Sequence, residues 1–196
     1  MIAATETSTG EGCDGTAEVS QETPVARVLL VRYGRVPQVA RFGSGDDQPT
    51  PERGAMVVVR SERGEECGEV LHVAQRAIGV AEEDLGLTGR VLRTATSDDL
   101  TRSASLQTEC DAAYSLWMGR AAQWNLQLQL IDLERTLDGQ LILYVLNERG
   151  PETTRLALLA AAAGHGVVHV QPVAAEGIVP EKKSGGGCGD CGCATH

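Results

Sequence analysis

Apolar and polar positions alternate with period two through the first third of the chain after residue 24. Val25, the run Arg27 to Val31 and Tyr33 predict one strand, and after Gly34 the stretch Val36 to Phe42 predicts another, closed by the turn Gly43-Ser-Gly-Asp-Asp47. Ala55 to Arg60 and Cys67 to Val73 read as two more strands joined by the polar link Ser61 to Glu66, with Gly64 at the turn. Four or five short strands in a row predict a small β-barrel or a bent antiparallel sheet. Glu65, Glu66 and Glu69 fall in and after the link, where neighbouring acids are expected at a solvated edge.

Beyond Glu82-Glu-Asp84 and the glycines at 86 and 89 the period changes. Arg90 to Ala95 is one further strand, and Ser97 ahead of Asp98 and Asp99 predicts a helix start, where a hydroxyl caps free amides and acids meet the positive end of the dipole. Cys110, Ala113, Tyr114, Trp117, Ala121 and Trp124 then recur at helical spacing and predict the buried face of a long helix, with Cys110 an inert core thiol. Leu126, Leu128 and Leu130 return to period two. Asp138-Gly139 predicts a type I′ hairpin turn before Leu141 to Leu146, which is apolar on both faces and predicts a central strand covered on one side by the long helix. Gly150-Pro151 opens a second helix running towards Gly164, and Gly166 to Val173 is the last strand.

The fold class is therefore α+β. The expected organisation is an acidic leader over 1–24, a β-rich subdomain over 25–89, a helix-strand-strand-helix-strand unit over 90–173, and a tail over 174–196. The leader carries Glu6, Glu11, Asp14, Glu18 and Glu22 without a base, and too little apolar surface to offset the cost of ordering, so it is expected to be disordered. It has neither the basic and apolar regions of a secretory signal nor the arginines of a mitochondrial presequence, and no stretch is long and apolar enough to span a membrane. With Cys13, Cys67 and Cys110 scattered singly, the expectation is a cytoplasmic protein with reduced thiols.

The net charge is −10 and aromatics are 3%, which leaves no basic block and no stacking platform for autonomous nucleic-acid binding. The chain has no Gly-x-Ser-x-Gly elbow, phosphate-binding loop or dinucleotide fingerprint. His72 and His169 fall in strands, His165 in a glycine-flanked turn, and the acid beside Cys67 opposes its activation, so no catalytic residue is assigned and a non-enzymatic role is expected. The strongest chemistry lies at the end. Cys188, Cys191, Cys193 and His196 follow three glycines and supply four candidate ligands for a metal, three of them soft thiolates, with zinc, copper or an iron–sulfur cluster as the candidates. The flexible end allows one closed site, a site shared with another chain, or an inert tail.

Several segments, taken in order, resemble the PSP-type domain of the bacterial sporulation and competence proteins called YaaT or RicT. The resemblance runs through Val31-Arg-Tyr33 and Val39-Ala-Arg-Phe42, then Val57 to Val70 with Arg63-Gly64 and Gly68, then Arg93 to Leu100, and finally Asp132 to Tyr144, covering about residues 27–173. At Thr154-Arg155-Leu156 the family's "dfReL" is faintly echoed, and Arg155 is expected to be a solvated salt-bridge partner. Where those proteins carry a "GpCGr.lCC" pattern, this chain has GGGCGDCGC. The resemblance implies a cytoplasmic adaptor or regulator that works with small helical partner proteins, carries an iron–sulfur cluster and is linked to messenger RNA processing by the endoribonuclease RNase Y. Two other readings remain: a zinc or copper carrier acting through the tail, and a structural interaction module with an inert tail.

Overall fold

The computed structural model describes residues 24–47, 49–146, 150–174 and 177–179. Five strands form a closed barrel: β1 (Arg27–Tyr33), β2 (Gln38–Ser44), β3 (Met56–Ser61), β4 (Gly64–Gln75) and β5 (Gly89–Thr94). Their order around it is β1-β2-β5-β3-β4, with β1 and β4 closing the ring. Alternation does the work expected of it. Leu29, Val31 and Tyr33 of β1 point inward with Phe42, Val57, Val59, Val70 and Val91, and the Tyr33 and Phe42 rings meet edge to face at 5.1 Å.

Strand β5 lies at the head of the segment 90–173 but belongs to the barrel, antiparallel to β3 and parallel to β2. Its one buried apolar residue, Val91, completes the barrel interior. The chain then enters α1 (Ser97–Gln123) one residue earlier than the hydroxyl at Ser97 predicts. Thr96 is the cap: its Oγ1 accepts from the Asp99 amide at 3.2 Å, while the Asp99 carboxylate accepts from the Thr96 amide at 2.8 Å.

The second sheet has the order β6-β7-β8-β9, from β6 (Gln129–Arg135), β7 (Leu141–Leu146), β8 (Val168–Ala174) and β9 (Gly177–Ile178). β7 lies between β6 and β8, antiparallel to one and parallel to the other, with α2 (Pro151–Ala160) as the crossover. The Asp138-Gly139 corner is not the expected type I′ turn. Only Gly139 has positive φ there, and the Thr136 amide closes the loop onto the Gln140 carbonyl at 3.0 Å, so one left-handed residue suffices.

One face of this sheet carries Leu133, Leu141, Leu143 and Val145 into a core shared with Cys110, Trp117, Leu156 and Ala160, joined at its rim by Ala113, Tyr114, Ala121 and Trp124. Every residue of the helical stripe is therefore in or against that core. After Ala160 a π-helical turn, Ala161–His165, ends at Gly164 with φ 85° and sets the His165 ring 4.8 Å from Trp117. β7 is buried on both faces, because Ile142 and Tyr144 point the opposite way, and Tyr144 reaches the barrel. No described helix is long and apolar enough to cross a membrane.

Candidate functional site

The junction of barrel and second sheet is built around the β3–β4 turn. Arg63, only 7% exposed, leaves the barrel there and places its guanidinium 5.6 Å from the centres of both the Tyr33 and Tyr144 rings. Its Nη2 donates to Glu66 Oε2 at 2.8 Å, to Glu134 Oε2 at 2.7 Å and to the Tyr144 hydroxyl at 2.9 Å. The Tyr144 hydroxyl in turn donates to Glu134 Oε2 at 2.5 Å. Arg63 and Glu66 come from the barrel, Glu134 and Tyr144 from β6 and β7, so one buried guanidinium ties the two units together.

Local sequence explains why the chain can make this insertion. Gly64 follows Arg63 with φ 124°, and a Cβ there would sit 2.5 Å from Asp138 Oδ1, which accepts the Glu65 amide at 3.1 Å. Gly68 is held for a different reason: a Cβ would lie 2.5 Å from Val31 Cγ1 on the neighbouring strand β1. A backbone bond also crosses the junction, from the Leu137 amide to the Glu65 carbonyl at 2.7 Å. Beside it Arg35 of the β1–β2 turn bridges Asp132 of β6 at 2.6 Å and Asp111 of α1 at 2.8 Å.

The electrostatics of this cluster overturn the expectation of a solvated acidic edge. Glu66 is 3% exposed, and burial raises its pKa to about 7 against the pull of Arg63, with Glu134 adding to the rise. Glu66 sits on the inward face of β4 in phase with Gly68 and Val70. Glu65 and Glu69 are partly exposed and pair with Arg60 and Arg32. Burial opposes the charge of Arg63 itself, but Glu66, Tyr144 and Glu134 outweigh it and hold its pKa above the ordinary value. Burial, reinforced by Glu134, likewise pushes the Tyr144 hydroxyl up, so it stays a donor.

A cleft of about 330 Å3 opens against this cluster between β4, α1 and the β6–β7 loop, lined among others by Glu66, Cys67, Ser103, Gln107 and Glu134. A second, of about 280 Å3, lies on the other side of Arg63, against Tyr33, Thr88, His169 and Gln171. Cys67 is half-buried, and burial, followed by the Asp99 charge, raises its pKa, which keeps it a thiol. Cys110 is buried in the helical core, where desolvation raises its pKa too. His72 is exposed on β4 and His169 lies on β8, while burial and then Arg120 lower the pKa of His165. Arg155 is exposed, 3.8 Å from Glu152, and also donates to the Trp124 carbonyl at 3.2 Å.

Cys188, Cys191, Cys193 and His196, the ligand set expected from sequence, lie outside the described residues, as does Cys13. Among the described residues no group of three or more His, Cys, Asp or Glu side chains converges as a metal site. The Arg63 cluster was absent from the candidates drawn from sequence. Its signal was the phase of Glu66 with Val70 on one strand face, together with Arg63-Gly64 inside the stretch that resembles the PSP-type domain. No protein family, curated protein or solved structure matches the chain.

Proposed function

We infer that the chain is a non-enzymatic cytoplasmic adaptor that assembles protein complexes, with Cys188, Cys191, Cys193 and His196 as a zinc or iron–sulfur tether. The observation that carries the adaptor reading is the junction. The carboxylates best placed for chemistry, Glu66 and Glu134, are bonded to Arg63 and Tyr144, and the adjoining Cys67 is held as a thiol, so this polar cluster fastens two units into one body. The tether rests on donor chemistry, because three thiols and an imidazole close together after three glycines supply as many ligands as a tetrahedral metal site needs. By resemblance, the partners are small helical proteins and an endoribonuclease.

The test compares the intact chain with one ending at Gly187, both purified without oxygen, by elemental analysis, visible absorption and identification of proteins retained in a pull-down. Iron with sulfide, or zinc, is expected in the intact chain and lost on truncation, with defined partners retained through the folded body. Metal lost on truncation with no partner held by the body would replace this reading with a metal carrier. Equal, near-zero metal in both chains would remove the tether and leave the adaptor to stand on its partners alone.

A further inference from the structure

The Arg63 cluster is unbalanced. Three acceptors converge on Nη2, which has only two hydrogens to give, while Nε and Nη1 are buried without a partner. Two carboxylates from opposite sides of the junction face one guanidinium, and both line the 330 Å3 cleft, which Arg35 and Arg135 line as well. The groups facing Glu66 are Arg63 from the β3–β4 turn, Ser61 at the end of β3, Tyr33 from β1, Glu134 from β6, Tyr144 from β7 and Cys67 on its own strand, the last beside Asp99 of α1 and Arg93 of β5. Among the described residues, Arg63 is the one cation bonded to both carboxylates. The Ser61 hydroxyl donates to Glu66 Oε1 at 3.5 Å and, like Arg63, favours the charged carboxylate, so burial and Glu134 act against both donors.

We propose that Arg63, Glu66, Glu134 and Tyr144 form a proton-gated latch: with Glu66 protonated the barrel is closed onto the second sheet, and with both glutamates charged the β6–β7 loop parts from β4 and widens the cleft beside Cys67. The proton leaves Glu66 for solvent. Once Glu66 is charged, Glu134 of β6 and Glu66 of β4 repel across the seam that the Leu137-to-Glu65 backbone bond spans. The closed form holds the proton to about pH 7, whereas an opened Glu66 has its ordinary pKa. Opening is therefore least favoured in acid, grows as pH rises to about 7 and levels off above it. The latch uses the junction and not the tail, so it stands or falls separately from the metal tether.

Amide hydrogen exchange read at Leu137, corrected for the intrinsic pH dependence of exchange, tests it on the full chain. Protection at Leu137 is expected to fall about tenfold between about pH 6 and about pH 8, while that of Leu143 in the central strand β7 is unchanged. In Glu66→Gln the fall at Leu137 is abolished. In Glu134→Gln it shrinks and moves to lower pH, because the repelling charge is gone and Glu66 then has Arg63 to itself. Constant protection at Leu137 in the unmodified chain, an equal fall in Glu66→Gln, or a fall shared equally by Leu143 would each overturn the latch. If Glu66→Gln does not fold, Glu134→Gln decides the matter, since an unmoved fall there overturns it as well.

Discussion

Two arginine–carboxylate clusters, about as far apart in character as one chain allows, share the same chemical parts. At the head of α1, Arg93 donates to Asp99 while Thr96 caps the helix, and those hydrogen bonds, Arg93 first, hold the Asp99 pKa well below the ordinary carboxylate range. At the junction, Glu66 also has an arginine at hydrogen-bond distance, yet its pKa goes up. Solvent accounts for the difference. Asp99 keeps access to water and gains from its partner, whereas Glu66 is stripped of water and must share Arg63 with a second carboxylate. An ion pair drawn on a structure therefore has no fixed sign as a stabiliser until burial and the count of competing charges are known.

The most severe way to break the comparison is to remove the shared cation. Arg63→Met leaves Glu66 and Glu134 buried without their partner, and unfolding by urea at neutral pH is expected to show a loss of about 3–5 kcal/mol. Adding Glu66→Gln to that variant should recover part of the loss, because one of the stranded charges is gone. Arg93→Met, at the exposed cluster, is expected to cost far less. Equal losses at the two sites would mean that burial is not what separates them.

The next effect sharpens the contrast through pH. Glu66 has a folded pKa raised above its unfolded value, so its contribution is fully present below about pH 4.5 and is lost as pH rises to about 7. Asp99 is shifted the other way. Its contribution is present above the unfolded value and is lost in acid as pH falls through the lowered one. The stability difference between Glu66→Gln and the unmodified chain should change by an amount on the order of 3 kcal/mol between about pH 4.5 and about pH 8. Asp99→Asn should alter only the acid limb. A Glu66→Gln profile parallel to that of the unmodified chain across this range would remove the buried-acid account.

The same contrast explains what could be read from the residues alone. Barrel strands, the long helix and the helix-strand-strand-helix-strand order follow from local periodicity, and the stripe from Cys110 to Trp124 packs as its spacing implies. Partnership across the chain does not follow. β5 follows the glycines at 86 and 89 and reads as the first strand of the second unit, and only pairing with β2 and β3 assigns it to the barrel. Glu66 reads as solvated because two adjacent acids after a turn have the composition of an exposed edge, although its phase with Val70 points inward. Arg63 and Glu134 lie 71 residues apart, and no periodicity can couple them. The tail ligands were the opposite case: local chemistry was plain, and its geometry lies outside the described residues.

The smallest effect belongs to the exposed cluster and isolates what the cap contributes without the ion pair. Thr96 Oγ1 accepts the Asp99 amide, and the Asp99 carboxylate returns the bond to the Thr96 amide, so the hydroxyl can be removed while the charge stays. Thr96→Ala should destabilise the chain by about 1 kcal/mol, with circular dichroism tracking loss of α1 at the same midpoint as global unfolding, because Cys110 and Trp117 anchor that helix in the second core. Thr96→Ser should restore the loss. Since the Thr96 hydroxyl helps hold the Asp99 pKa down, Thr96→Ala should also move the acid limb to higher pH and leave the Glu66 limb where it was. If both limbs moved together, the two clusters would be coupled through α1 and Cys67, and the comparison between a buried and a solvated arginine pair would have to be redrawn as one network.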